Sequence, residues 1–142
     1  MALVVFDADV LIAFLGREDA SHGQAVERMR RALEPGTQRL VSAVNYTEVL
    51  IGPFQKFGAK GADVVEAMFQ RFSIETIPVD RALARQAATV RARTGLKLPD
   101  AYALATAFDA VQRGHADVRL ESFDKKVLKA YAALSPTSRE PA

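Results

Sequence analysis

Short apolar runs alternate along the chain with longer segments whose apolar residues recur every three or four positions. The run of residues 3–7 is typical of a buried strand. Three more strands are predicted at residues 40–42, 74–79 and 118–123. Helical spacing occupies the segments 10–15, 20–33, 45–51, 62–72, 81–94, 99–114 and 125–134. We therefore predict an α/β fold with a mostly parallel central sheet of about four to five strands, flanked by helices on both faces.

Capping residues and helix breakers set the predicted helix boundaries. Asp9 can cap the helix that follows the first strand. Asn45 and Glu48 fit the capping-box pattern, in which the glutamate reaches back to the backbone of the first residue. We expect Gly52-Pro53 to interrupt the helix that begins at Asn45, because proline lacks the N–H that the helix needs.

Nothing in the pattern divides the chain into two domains. It has 142 residues, of which 49% are apolar, and this is enough for one compact core. We predict a single domain at residues 1–134. The tail at residues 135–142 contains two prolines and no apolar period, so we expect it to be disordered.

The composition excludes several classes of protein. The chain has no cysteine, which excludes disulfide scaffolds, thiolate metal sites and cysteine nucleophiles. Any metal must therefore bind to oxygen or imidazole. The apolar runs are too short for a membrane span or for the core of a signal peptide. We expect a cytoplasmic protein with no membrane association.

Positive charge is concentrated in two segments, although the formal net charge is only +2. The first contains Arg81, Arg85, Arg91, Arg93 and Lys97, and the second contains Lys125, Lys126 and Lys129. The mild excess predicts no strong general affinity for nucleic acid. Either segment can bind phosphates, but solvated helix faces commonly have the same composition, so both interpretations stay open.

Four carboxylates lie at or near the carboxyl ends of the predicted strands, where open parallel sheets bind ligands. Asp7 closes the first strand, Glu48 lies one turn into the helix after the second, and Asp124 follows the last. Asp100 occupies the first turn of a helix, at the head of an apolar stripe, whereas Asp109 faces the opposite side of that helix. A carboxylate at the edge of the core requires a neutralising cation, and oxygen ligands select Mg²⁺ or Mn²⁺. The acids therefore predict a divalent-metal site.

Each of these acids also has a purely structural interpretation. Asp7 can end a strand, and Glu48 can complete the capping box. Asp100 can stabilise the positive end of its helix, and Asp124 can cap the last helix. No single acid demonstrates chemistry, so the prediction depends on the coincidence of four acids at the loop ends of one sheet.

Four motifs, taken in order, resemble the PIN-domain family and, within it, the VapC-like toxins of type II toxin–antitoxin systems. They are Val4-Val5-Phe6-Asp7-Ala8-Asp9, Ser42 followed by Glu48, Leu98-Pro99-Asp100-Ala101, and Ser122-Phe123-Asp124-Lys125-Lys126. The resemblance runs from residue 3 to about residue 131. It implies a Mg²⁺- or Mn²⁺-dependent endoribonuclease that hydrolyses RNA, is neutralised by a cognate antitoxin protein, and is usually a homodimer.

The resemblance implies that Asp7, Glu48, Asp100 and Asp124 are the catalytic and metal-binding residues. Ser122 departs from the threonine that is usual in the family at that position. The stretch from Asp100 to Asp124 is also several residues longer than is typical, which makes Asp117 a second, weaker candidate for the fourth acid. Asp9 is a candidate to support the metal ligands, and its role stays open.

Two other functions compete with the ribonuclease interpretation. The Phe6-Asp7-Ala8-Asp9 motif also resembles the nucleophile motif of haloacid-dehalogenase-like phosphatases, in which Asp7 would attack phosphorus and Asp9 would act as acid and base. Such enzymes carry a late pair of acids for Mg²⁺, and the late candidate here, Asp124, is followed by two lysines. The other alternative is a catalytically inactive PIN-like binding module, against which the intact set of four acids argues.

An apolar stretch surrounds Gly52-Pro53 and exceeds what one short helix can bury. It consists of Val49, Leu50, Ile51, Phe54 and Phe57. We predict that this stretch and the following helix form part of a groove for an antitoxin segment, which would place a basic side chain among the acids.

Overall fold

A computed structural model of the protein describes residues 1–135. The elements in this range are β1 (Ala2–Phe6), α1 (Ala8–Leu15), α2 (His22–Ala32), β2 (Thr37–Ser42), α3 (Ala43–Phe57), α4 (Ala59–Arg71), β3 (Ile74–Ile77), α5 (Arg81–Thr94), α6 (Leu98–Gln112), β4 (Asp117–Glu121) and α7 (Lys125–Leu134). Within residues 1–135, every helix is too short or too polar to cross a membrane. The predicted disordered tail lies, from residue 136 onward, outside the described residues.

The four strands form one sheet in the order β3-β2-β1-β4, and every neighbouring pair is parallel. Strand β1 is therefore central, and its Val5 pairs with Leu40 of β2 on one side and Leu120 of β4 on the other. The predicted α/β class and parallel sheet are confirmed, with four strands. Because all strands run the same way, their carboxyl ends lie along one edge.

The helices bury both faces of the sheet, so the central strand is apolar at every position from Leu3 to Phe6. Leu3 and Val5 pack in a core with residues of α5, α6 and α7. Val4 and Phe6 point to the other face, into a core with residues of α1, α2, α3 and α4. This double burial explains why the first strand is a continuous apolar run and not an alternating one.

Two of the predicted helix caps are wrong. Helix α1 is capped by Asp7, whose Oδ1 accepts a hydrogen bond from the amide of Ala8 at 2.8 Å, and not by Asp9. Helix α3 is capped by Ser42, whose Oγ accepts from the amide of Asn45 at 3.0 Å. In both cases the residue that ends the predicted strand caps the helix, so each helix begins earlier than predicted. Asn45 and Glu48 therefore do not form a capping box.

The predicted interruption at Gly52-Pro53 is also wrong, because α3 continues through Pro53 to Phe57. An interior proline costs a helix about 3 kcal/mol. Close packing against α4 helps to offset this cost: a Cβ atom added to the buried Gly61 would lie only 2.1 Å from the carbonyl oxygen of Pro53. The absence of a side chain at Gly61 is what lets the two helices approach here.

Candidate active site

The carboxylates predicted from the sequence meet at the carboxyl edge of the sheet and influence one another electrostatically. The charges of Asp9 and Asp100 both raise the pKa of Asp7. The charges of Asp124, Glu48 and Asp9 in turn raise the pKa of Asp100. All four predicted acids therefore lie in one region, together with Asp9.

Asp7 is the most buried of these acids, with 3% of its surface exposed. Besides capping α1, it accepts a hydrogen bond at Oδ2 from the Ser122 hydroxyl at 2.8 Å. Burial is the largest cause that raises the pKa of Asp7 to about 7. The charges of Asp9 and Asp100 also raise this pKa, and the hydrogen bonds from Ser122 and the Ala8 amide lower it. A carboxyl in this setting requires either a proton or a cation near neutral pH.

Asp9 ties the first turn of α1 to the loop that follows β4. Its Oδ2 accepts a hydrogen bond from the amide of Phe123 at 2.9 Å. Its Oδ1 is buried and has no hydrogen-bond partner within residues 1–135. Burial raises the pKa of Asp9, and the charge of Asp124 adds to this effect. Asp9 thus holds the loop after β4 against α1, and one of its carboxylate oxygens has no hydrogen-bond partner among the described residues.

Ser122 is a central residue of the site, although sequence reasoning noted it only as a departure from threonine. It is fully buried, and its Oγ donates to Asp7 and accepts from the amide of Asp124 at 3.0 Å. The same oxygen lies 3.4 Å from Oδ2 of Asp9. Serine retains the hydroxyl that these contacts use, so the departure from threonine leaves the hydrogen bonds in place.

Asn45 fixes Glu48 against the start of α6, a role that sequence reasoning missed. Its Nδ2 donates to Oε1 of Glu48 at 3.0 Å and to the carbonyl of Pro99 at 3.1 Å. The Ser42 hydroxyl donates to Oδ1 of Asn45 at 2.6 Å and so orients the amide. The sequence signal for this role is a polar residue one turn before the acid on a largely apolar helix, and the same signal is typical of a helix cap.

Asp100 is half-buried in the first turn of α6, and burial is the largest cause of its raised pKa. Asp109, on the same helix, instead pairs with Arg113 at 2.8 Å. Asp124 caps α7, since its Oδ1 accepts from the amide of Lys126 at 2.8 Å. Asp117 begins β4 and is exposed, so it lies at the opposite edge of the parallel sheet from Asp124.

Comparison with known proteins bears on this arrangement. The family model of the PIN domain matches residues 4–134. The chain belongs to the PIN-domain family. The match covers all five acids of the site and nearly the whole predicted domain, and it confirms the family resemblance of the motifs.

Solved structures share the same fold over almost their full lengths. VapC20 of Mycobacterium tuberculosis, a sarcin–ricin-loop-cleaving toxin, has a TM-score of 0.65 and 18% identity, over 97% of this chain and 99% of its own. A toxin–antitoxin complex from Klebsiella pneumoniae has a TM-score of 0.59 and 26% identity, over 96% and 93%. VapBC-1 of nontypeable Haemophilus influenzae has a TM-score of 0.65 and 14% identity, over 93% and 94%. No curated protein sequence matches the chain.

The donor set of this PIN domain fits a hard divalent cation. Within residues 1–135, no three Asp, Glu or His side chains are grouped closely enough to enclose a metal ion as they stand. The donors are nevertheless carboxylate oxygens that raise one another's pKa, and one buried oxygen of Asp9 has no partner. A divalent cation would offset both the repulsion and the unsatisfied oxygen, which is what Mg²⁺ and Mn²⁺ sites require.

Proposed function

We propose that the protein is a metal-dependent endoribonuclease toxin in which Asp7, Glu48, Asp100 and Asp124 hold Mg²⁺ or Mn²⁺. The observation that carries the proposal is the convergence of acids from four separate segments at the carboxyl edge of a PIN-domain sheet, where they raise one another's pKa. The likeness to toxins of known structure supports the toxin role. A homodimer stays a prediction from the resemblance.

The chain's own residues pre-organise the acids for this chemistry. When bound, Mg²⁺ or Mn²⁺ supplies activation of water, orientation of the scissile phosphate and stabilisation of charge on the leaving oxygen. Ser122 holds Asp7 in place while it accepts from the Asp124 amide, and Asn45 holds Glu48 against α6. Because Ser122 and Asn45 are buried, they hold Asp7 and Glu48 in place before a metal binds, and closing the site around a metal requires only local movement of the remaining acids.

The direct test is to incubate purified protein, freed of any antitoxin, with total cellular RNA. Cleavage is expected with Mg²⁺ or Mn²⁺ and should disappear when the metal is removed with EDTA. Discrete RNA fragments are the readout. Undiminished cleavage in EDTA, or intact RNA under all metal conditions, would contradict the proposal, and the second result would favour an inactive binding module.

The phosphatase alternative makes a different prediction for Asp9. A phosphatase would need Asp9 to transfer a proton, whereas in the nuclease Asp9 braces the loop after β4 through the amide of Phe123. We expect Asp9→Asn to lower RNA cleavage by about 10- to 100-fold, which is typical of residues that support metal ligands. We also expect no hydrolysis of p-nitrophenyl phosphate. A phosphate trapped covalently on Asp7, or monoester hydrolysis without RNA cleavage, would support the phosphatase.

A cavity beside α3 supports the proposed antitoxin groove, although its second wall is α1 and not the following helix α4 that the sequence predicts. A cavity of about 610 Å³ separates α1 from α3. Apolar side chains line most of it, and Glu48 and Lys56 form part of its wall. The apolar lining residues are Ile12, Leu15, Val49, Ile51, Pro53 and Phe57. Ile51 and Phe57 are 50% and 63% exposed, which is unusual for large apolar side chains. The occupant that fits is an apolar antitoxin segment with one basic side chain near Glu48.

Co-expression with the adjacent small open reading frame should give a stable and inactive complex. We expect Ile51→Asp and Phe57→Asp to weaken this complex by more than about 30-fold in Kd, as for buried interface residues, while cleavage by the free protein persists. Val64→Asp is the matched control, because Val64 is 58% exposed on α4 and does not line the groove. Equal effects at all three positions, measured by calorimetry, would contradict this docking site.

A further inference from the structure

A second cleft opens beside the acids, between the start of α6 and α7. It has a volume of about 670 Å³, and Asp100 and Asp124 both line it. Three lysines from two separate segments of the chain line it as well: Lys97 before α6, and Lys126 and Lys129 on α7. We call this surface the lysine cleft. Its position means that an anion bound to the lysines would lie next to the candidate metal ligands.

The three lysines are exposed, and none forms an ion pair within residues 1–135. Their placement is unfavourable for the helices. Lys97 precedes the first residue of α6, and Lys126 and Lys129 lie in the first two turns of α7. Cations at the positive end of a helix interact unfavourably with its dipole. An anionic ligand would turn this cost into a favourable interaction.

The two basic segments, which the sequence predicts equally as phosphate-binding sites, differ in how many of their residues lie beside the acids. Only Lys97 of the first segment lines the lysine cleft. Arg91 instead donates to the carbonyl of Leu96, which is a structural contact. Arg93 lines a separate recess between α5 and α6 that also contains Asp109. Charge near the acids therefore comes from the start of α6 and from α7, and not from the basic face of α5.

We propose that the lysine cleft binds the phosphate backbone of single-stranded RNA directly beside the scissile bond. The proposal rests on the nuclease function, since it names how that substrate is held. Among residues 1–135, no aromatic side chain lines the cleft, so base stacking has no platform there. Lysines contact phosphates as point charges without reading bases. Binding through this cleft is therefore independent of sequence and sensitive to salt.

Binding is tested without metal, so that the RNA stays intact. A fluorescently labelled single-stranded RNA is titrated in EDTA with the wild type and with the triple variant Lys97→Gln/Lys126→Gln/Lys129→Gln at several salt concentrations. We expect the triple variant to bind at least about tenfold more weakly at low salt, and the slope of log Kd against log salt to fall by roughly two, as for three lost phosphate contacts.

The matched control is Arg81→Gln/Arg85→Gln/Arg93→Gln, which removes the same charge from α5. We expect this control to bind RNA within about threefold of the wild type, because none of the three arginines lines the lysine cleft and their charges act mainly through screened long-range attraction. Thermal unfolding of both variants checks that they fold. Equal losses in the two variants would mean a diffuse charge effect, and wild-type binding by the lysine variant would mean no RNA site; either result overturns the proposal.

Cleavage assays separate this inference from the proposed function. With Mg²⁺ or Mn²⁺, the lysine variant should show a raised KM and a nearly unchanged kcat, because the lysines bind substrate without touching the reacting atoms. Lysine-dependent RNA binding without any cleavage would leave the cleft intact and refute the nuclease function. Normal cleavage and binding by the lysine variant, combined with loss of antitoxin binding, would refute the RNA cleft and assign the lysines to the protein partner.

Discussion

Asp7→Asn and Asp100→Asn should each abolish the proposed RNA cleavage and the growth arrest that we expect when the protein is expressed alone. Each replacement removes one negatively charged ligand of the proposed metal ion. The charge of that ligand is one of a set of carboxylate charges that raise one another's pKa. The loss should exceed the roughly 10- to 100-fold expected for a residue that only supports the ligands, such as Asp9. The measurement is initial cleavage rate on one RNA at saturating Mg²⁺ and Mn²⁺.

Asp109→Asn and Asp117→Asn are the matched controls for these variants. They make the same chemical change, but Asp109 is paired with Arg113 and Asp117 lies at the opposite edge of the sheet. Both should cleave RNA at nearly the wild-type rate. If the Asp7 and Asp100 variants are folded and cleave as the wild type does, the assignment of the acids is wrong.

The second prediction is that the metal-free protein loses stability as the pH rises, and that Asp7 causes much of this loss. The pKa of Asp7 rises from 3.8 to about 7 on folding, so the folded state holds the proton more tightly than the unfolded state. Stability must therefore fall between about pH 4 and pH 7 and stay low above that range. Asp7→Asn should consequently be the more stable protein at pH 8, by up to about 4 kcal/mol.

Asparagine is suited to this test because it also caps helices well, so α1 keeps its cap. Urea unfolding of the wild type and the variant from pH 4 to pH 8 in EDTA gives the two stability curves. The curves should converge near pH 4 and separate as the pH rises. Added Mg²⁺ should then stabilise the wild type at pH 8 and leave the variant almost unchanged. Parallel curves would show that Asp7 is ionised without cost in the folded protein.

The sheet and the general position of the acids could be predicted from the sequence because both follow from local geometry. Short apolar runs broken by aspartates mark buried parallel strands, and the end of such a strand defines the site edge. Helix geometry alone separates Asp100, among buried positions of α6, from Asp109 on its polar side. These conclusions require no knowledge of which elements pack together.

The supporting residues could not be predicted, because their partners come from distant segments. Asn45 bonds to the carbonyl of Pro99 and Ser122 to Asp7, contacts that span 54 and 115 positions of sequence. The lysine cleft has the same origin, since Lys97 meets α7 only in the folded chain. Where α3 continues through Pro53, it packs closely against Gly61 of a different helix. Sequence rules for helix caps and helix breakers use only neighbouring residues. Contacts with distant segments can therefore override the helix boundaries that these rules predict.

Because the first strand pairs with the last, the acid cluster is complete only after β4 has been synthesised. Strand β1 pairs with β4 along its length, from Ala2 opposite Asp117 to Phe6 opposite Glu121. A chain emerging from the ribosome presents β1 first, and it has no partner on that side until every segment through α6 has been translated. Asp7 then lacks Ser122 and Asp124. In the proposed ribonuclease, a nascent chain would therefore lack a complete site until β4 emerges, and this interval is time in which an inhibitor can already be present.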